Sequence, residues 1–376
     1  MFLAVRELRF ARARFGLMGS VVALIAVLMV LLSGLSTGLV NDGVSGLQRL
    51  PVTAFAFAEG VQRDSAFSRS EIDTRAASAW QGQDGVAEAE PFGNMLVNAR
   101  NGDGVQIDLA LFGVRPGSYL DPGAATGEAM AGPGETVVSS TAIDAGIAVG
   151  DTVVIDRLGT ELRVVGSLSE QHTFGHVDVA YVPLRTWQEI HAGSRPGEPV
   201  PDRAYSAATA VAIAAEDGAD LDLGAGDRAA GTQSMTVEES FGASPGYTAE
   251  TSTLTLIQVF LYAISALVVG AFFTVWTIQR RHELAVLRAI GASTGYLLRD
   301  GLAQALILLV AATSVGVAIG VGGGSLLDGS GMPFALDPPA VLLAAVLLVT
   351  LGLLGAATAI KRITAVDPLT ALGGNR

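Results

Sequence analysis

Hydrophobic and polar positions divide the chain into four long apolar runs and one long stretch where the two are mixed. The runs cover residues 17–40, 254–278, 302–327 and 340–360, and none of them contains Asp, Glu, Lys or Arg. Crossing the hydrocarbon of a bilayer takes about 20 residues at a helical rise of about 1.5 Å, so each run predicts a membrane-spanning helix. The first run exceeds the roughly 7–15 apolar residues of a secretory signal, and no small-residue cleavage site closes it, so it is read as a retained span. Small residues recur at helical spacing, with Gly34 and Gly38 in the first run and Gly316, Gly320 and Gly324 in the third. Glycines so spaced let helix backbones approach closely.

Residues 41–253 carry shorter signals of both kinds. Segments 52–58, 104–114, 136–139, 152–156, 162–167, 177–183 and 207–215 alternate or are rich in β-branched residues and predict strands. Segments 70–81 and 184–191 predict helices. Gly, Pro and Asp clusters at 115–123 and 131–135 predict loops. The acidic, glycine-rich segment 215–233 has little periodicity and reads as a surface excursion. No internal repeat is present. The expected fold class is an integral membrane α-helical protein of four spans, with a large mixed α/β extracytoplasmic domain between the first and the second.

Orientation follows from the basic residues, which favour the cytoplasmic side. Arg6, Arg9, Arg12 and Arg14 precede the first span; Arg280, Arg281, Arg288 and Arg299 lie between the second and third; Lys361, Arg362 and Arg376 follow the fourth. The loop 328–339 has none. Both termini are therefore expected in the cytoplasm of a multi-pass cell-membrane protein, with 41–253 outside. The expected order is a cytoplasmic segment 1–16, the first span, the domain 41–253, the second span, a cytoplasmic segment 279–300, the third span, an outer loop 328–339, the fourth span, and a cytoplasmic tail 361–376. In segment 1–16, Phe2, Leu3, Val5, Leu8, Phe10 and Phe15 alternate with arginines. That pattern suits an amphipathic helix in the headgroup plane with snorkelling arginines, and equally a basic flank that only fixes topology.

Charge narrows the partners. The chain carries a formal −13, and segment 41–253 holds 30 of the 36 acidic residues but only 12 of the 23 basic ones, a net of about −18. Phosphate binding needs a basic face, so nucleic acid is excluded as a partner. The chain has no cysteine, which removes disulfides and thiolate metal sites; about 210 residues suffice for a core without them. Lys361 is the single lysine, so a phosphate-cradling G-x-x-x-x-G-K-[ST] loop is impossible. Neither H-E-x-x-H nor G-x-S-x-G occurs. No enzyme activity is expected, and no intrinsic cofactor or metal. His172 and His176 are four apart, but Gly175 and the surrounding composition make them loop histidines by default rather than a helical metal pair. The spans hold no charges that would mark a proton pathway, so energy for any transport is expected from a partner.

Two segments carry more. The first, 277–301, reads TIQRRHELAVLRAIGASTGYLLRDG, with Leu284, Leu287 and Ile290 on one stripe and Gly291 breaking the helix. By composition alone it is a positive-inside flank. Its pattern R-x-x-E-x-x-x-L-R-A-I-G-A-S, however, resembles the signature of the FtsX/MacB/LolC class of ABC-transporter permeases. The C-terminal RITAVDPLTAL resembles that class's ending, R-x-x-x-x-D-P-x-x-A-L, and AIDAGIAVGDTVV at 142–154 is similar to a recurring stretch of its outer domain. The resemblance spans the whole chain, including the one-plus-three arrangement of spans. It implies that Arg281, Glu283, Leu284, Leu287, Arg288 and Gly291 belong to a coupling segment that docks on a separate ATPase chain, and that the permease is a homodimer embedded in lipid.

The second segment, 244–258, reads SPGYTAETSTLTLIQ. Tyr247 suits an interfacial anchor, and Glu250 suits the first turn of a helix, where the macrodipole favours a carboxylate. The P-G-Y-x-A-E motif, with Phe272, Phe273, Val275, Thr277, Ile278 and Gln279 beyond it, resembles the haem-exporter permeases of the HrtB type, which work with an HrtA-like ATPase to relieve haem toxicity. That resemblance implies haem as transported substrate. Tyr and carboxylate oxygens can approach ferric iron, and Arg pairs bidentately with carboxylates such as propionate. The candidate haem contacts are Tyr247 and Glu250, with Arg49, Phe55 and Met332 as further partners. Related DevC-type permeases export lipid, so lipid, lipoprotein or hydrophobic-peptide efflux stays open, as does an FtsX-like signalling scaffold acting on a cell-wall hydrolase.

Overall fold

The computed structural model describes residues 12–102, 104–279, 283, 286–287, 290–327 and 332–364. The expected amphipathic segment lies outside the described residues up to position 11, as does the cytoplasmic tail from 365. The chain forms two units, one of residues 1–38 with 251–376 and one of 39–250.

Four helices in the described residues are long and apolar enough to cross a membrane. They run Arg12–Gln48, Tyr247–Gln279, Thr294–Ser325 and Pro338–Thr364. All four expected spans are present. Each helix outruns its apolar run at one end or both, since a helix that leaves hydrocarbon need not stop; the first continues eight residues beyond the expected end at Val40, and the third starts early but stops at Ser325, short of the expected end at Leu327.

In the membrane unit the third helix packs on the first at its glycines. A Cβ on Gly316 would overlap the Ala23 carbonyl and one on Gly320 would meet Val30 at 2.8 Å. Gly270 and Gly355 bring the second and fourth helices together, and a Cβ on Gly270 would stand 3.2 Å from the Gly355 carbonyl oxygen. Near the helix ends, the Phe15 ring stands edge-on to Trp276 at 4.8 Å. The pair Gly34 and Gly38 serves differently from the helix–helix contact its spacing suggests. It receives the chain between the third and fourth helices, with the Phe334 ring over Gly34, Pro333 over Gly38, and the Ala335 N–H donating to the Gly34 carbonyl at 3.0 Å. Small residues clear a path for any close neighbour, and a loop fills this one.

The inserted unit is built on an eleven-stranded sheet. In spatial order its main path runs Thr232–Thr236, Ala54–Ala58, Ala210–Ala215, Val86–Arg100, Gln106–Val114, Val177–Pro183, Glu135–Val138, Glu161–Ser167 and Thr126–Gly127. Thr152–Ile155 bridges 86–100 and 161–167, and Thr173–Phe174 pairs with 177–183. Two pairings are parallel, 106–114 with 177–183 and 135–138 with 161–167. Strand alternation splits the side chains between two faces. Ala110, Phe112 and Val114 join a phenylalanine-rich core, whereas Leu109 and Leu111 face the other way, against Trp187 and Ile190 of the helix Leu184–His191. Rings of Phe55, Phe57, Phe67, Phe92, Phe112 and Phe174 meet at centroid distances of 5.0–6.4 Å, mostly edge to face.

The structure departs from expectation at Phe55 and at 215–233, and it adds a strand that was not expected. Phe55 is fully buried in this core, because its strand alternates Phe55 and Phe57 inward, so it cannot be a cargo contact. Segment 215–233 holds the helix Leu223–Ala230, capped by Asp222 at its start and by Gly231 in the left-handed region at its end. The fifteen-residue strand Val86–Arg100 was not signalled by its sequence. It contains Pro91 and Gly93, and Gly93 lies opposite Gly113, the two forming a slot in which Trp187 lies flat.

Candidate functional site

The last turns of the first helix, 39–48, belong to the inserted unit and present a polar face to the loop 170–177. Asp42, Ser45 and Arg49 recur every three or four residues, the spacing that aligns side chains along one helix face. Ser45 Oγ accepts from the Thr173 N–H at 3.0 Å and lies 2.8 Å from Thr173 Oγ1. Arg49 Nε donates to Glu170 at 2.7 Å, and the guanidinium holds that exposed carboxyl below its usual range. Arg49 is thus engaged, and any propionate must compete with Glu170.

His176 organises the site. Gly175 and His176 form a two-residue connection between Thr173–Phe174 and Val177–Pro183, with φ of +59° and +65°. Positive φ at both positions is the type I′ hairpin geometry that matches strand twist. It accounts for a left-handed histidine, which is an uncommon conformation. The turn aims the imidazole between two carboxylates. Nδ1 lies 2.8 Å from Asp42 Oδ2, and Nε2 lies 3.1 Å from Glu250 Oε2 without an aligned hydrogen bond. Gln171 Nε2 is also directed at Asp42 Oδ1, at 3.4 Å.

Glu250 occupies the first turn of the helix Tyr247–Gln279, as expected, where its charge complements the helix dipole. Gly246 precedes it with φ +81°, and a Cβ there would stand 3.0 Å from Glu250 Oε1, so both conformation and space call for glycine. Tyr247 lies half-buried, its ring 6.2 Å from Phe241. A Cβ on Gly43 would stand 3.8 Å from both His176 Cε1 and Tyr247 Cδ2, so one bare helix position lies under both rings. The Gly43 carbonyl in turn accepts from the Gly175 N–H at 2.9 Å and from Ser244 Oγ at 3.2 Å.

The structure therefore brings Tyr247 and Glu250 together with Asp42 and His176, which no sequence signal joins to them. His176 is not a surface loop histidine, and neither is His172. His172 is buried with Nδ1 3.0 Å from the Tyr181 hydroxyl, and burial, helped by nearby Arg49, pushes it down to about 4. Among the described residues no group of three or more His, Cys, Asp or Glu could hold a metal ion. Met332 belongs to the membrane unit and is exposed.

Of the coupling candidates, Arg281, Leu284 and Arg288 lie outside the described residues. Glu283 is exposed and helical, Leu287 is half-buried, and Ile290 is 80% exposed. Gly291 has φ +109° and ends the turn, after which the Ser293 hydroxyl caps the third membrane helix by accepting from the Tyr296 N–H at 3.2 Å. The left-handed glycine and the capped helix after it form an elbow beside the exposed Ile290 side chain.

Residues 255–368 match the model of the FtsX-like permease C-terminal family. Over its whole length the chain is 24% identical to a protein of Staphylococcus haemolyticus assigned as the hemin transport system permease protein HrtB, covering 99% of that protein. It is 23% identical to an uncharacterized ABC transporter permease of Mycobacterium tuberculosis, again over all of this chain and 99% of the other. Among solved structures, the periplasmic region of MacB from Actinobacillus actinomycetemcomitans aligns with 50% of this chain and 89% of its own, at 13% identity and a TM-score of 0.36. The permease resemblance carried by the 277–301 and C-terminal motifs is thus borne out.

Proposed function

We propose that this multi-pass permease of the FtsX-like ABC-transporter type exports haem from the membrane to the extracytoplasmic side. The observation that carries the reading is the junction of Tyr247, Glu250 and His176 around Gly43 at the head of the second membrane helix. Phenolate and carboxylate oxygens suit ferric iron. The HrtB name of its staphylococcal relatives supports the same cargo. In this reading the Glu250 carboxylate is kept in place by His176 while the site is empty, and iron takes one of its oxygens when haem enters. Asp42 holds the imidazole, and Arg49 is the propionate partner, exchanging Glu170 for the cargo.

The chain acts as a homodimer with a separate HrtA-like ABC ATPase, and both termini are cytoplasmic. Closure of the ATPase pushes on the elbow of Glu283, Leu287, Ile290 and Gly291, together with Arg281, Leu284 and Arg288, and the helices transmit the motion. Haem titration of the detergent-purified chain, read by absorbance, tests the cargo. Saturable binding that weakens or shifts spectrally in Tyr247→Phe and Glu250→Ala supports haem export from this site. A folded chain with no saturable binding removes haem and leaves a permease for lipid or peptide.

A further inference from the structure

We propose that the membrane unit carries a second binding site, a hydroxyl- and amide-lined pocket that holds the carboxyl or ester end of an amphipathic molecule taken from the lipid. The cavity measures about 260 Å³. Ser33, Ser36 and Thr37 of the first helix and Gln258 and Tyr262 of the second line it, together with Met29 and apolar residues of the fourth helix. None of those five polar side chains has a hydrogen-bond partner among the described residues.

Other hydroxyls of these helices behave differently. Thr274 donates to the Gly270 carbonyl at 2.8 Å, Thr277 to Phe273 at 2.6 Å, Thr350 to Val346 at 2.7 Å and Thr358 to Gly355 at 2.8 Å. Backbone partners are the usual solution for a hydroxyl in hydrocarbon, where no water is present and an unpaired polar group is costly. Ser265 and Thr313 also lack partners, each alone in the packed interior. Five such groups around one void are a different case, because a single guest can satisfy them together.

The lining defines the guest. It contains no charged residue, so it does not neutralise an ion. It offers several donors in a small space, which fits two oxygens on one carbon. A volume just under the roughly 300–1,000 Å³ of whole-ligand pockets admits an end group rather than an entire molecule. A porphyrin propionic acid, protonated as an uncharged lining requires, and a lipid ester present the same oxygen chemistry, and the site stands whichever supplies it.

Metal-free protoporphyrin IX separates this site from the iron contacts, because it has no iron for Tyr247 or Glu250 to bind. Its fluorescence would be titrated on the full-length chain in lipid nanodiscs, with retained phospholipid counted by native mass spectrometry. The test variant is Ser33→Ala with Tyr262→Phe, which removes two unpaired hydroxyls and is expected to melt no lower than wild type. Loss of two hydrogen bonds is expected to weaken protoporphyrin binding about tenfold or more. If wild type binds no porphyrin but retains a phospholipid that the variant loses, the guest is a lipid ester and the site holds. If the variant binds porphyrin and retains lipid as wild type does, or if wild type binds neither, the site is refuted. The haem titration reads the iron contacts and the protoporphyrin titration reads this pocket, so failure of haem export and failure of this pocket give different results.

Discussion

Replacing His176 by glycine removes its imidazole together with a backbone cost. φ is +65° at this position, and a Cβ in the left-handed region, which alanine would keep, costs about 1–2 kcal/mol. Glycine removes that cost along with the imidazole. A hydrogen bond to a charged group contributes roughly 1.5–3 kcal/mol. Here the His176 and Asp42 side chains are 30% and 28% exposed, and solvent screening brings the contact down to about 1 kcal/mol. The unaligned contact to Glu250, which is 39% exposed, adds less. His176→Gly should therefore change stability little overall, as relieved backbone and lost contact nearly cancel. The double-mutant cycle with Asp42→Asn should reveal a coupling of about 1 kcal/mol, because the backbone term drops out of the cycle. The assay is thermal unfolding of the detergent-purified chain in a Trp276→Phe background, so that emission comes from the buried Trp80 and Trp187 of the inserted unit. A coupling of about 1 kcal/mol corresponds to roughly 2–4 °C in a domain of this size. If the two substitutions add within about 0.3 kcal/mol, the histidine does not hold Asp42, and the account of an organised carboxylate site is wrong.

Gly113→Ala should lower stability of the inserted unit by at least about 1–3 kcal/mol, since its Cβ would overlap the Trp187 side chain; near-ultraviolet circular dichroism would register the displaced indole. His172 supplies a pH dependence. Burial lowers its folded value to about 4 from 6.5, so the unfolded chain binds the proton first as pH falls. Its contribution is complete above about pH 6.5 and declines towards pH 4 by up to a few kcal/mol; melting temperatures of wild type and His172→Gln across that range should diverge, and parallel curves would contradict the assignment. In the membrane unit, Gly316→Val should reduce the folded yield and melting temperature because its side chain would meet the Ala23 backbone, whereas Gly323→Val, with nothing within 4 Å, should be tolerated.

Much of the architecture was legible because its signals are local. Hydropathy located the spans, and alternation located the strands 177–183 and 106–114 and the helix 184–191 to within a residue or two. Strand 86–100 escaped because glycine and proline break its pattern, and only the Trp187 slot explains why they are there. Half of the candidate site was legible in the same way, since Tyr247 and Glu250 lie at a helix start that the sequence signals. The other half was not. Asp42 and Ser45 looked like residues after a span, and His176 like part of a loop, although the helical spacing of Asp42, Ser45 and Arg49 was a usable hint that the helix continues.

By itself, the sequence determined what depends on neighbouring residues: four apolar helices, an acidic mixed domain between the first two, and a motif that resembles an ATPase-docking elbow. Tertiary structure alone decided which distant groups meet. Asp42 and His176 stand 134 positions apart in the chain yet 2.8 Å apart in space, and the five unpaired polar side chains of the membrane pocket come from segments more than 200 residues apart. Periodicity reports which face of an element a side chain occupies. What that face meets is set by sheet register, turn geometry and helix packing acting together, and no single stretch of sequence contains them.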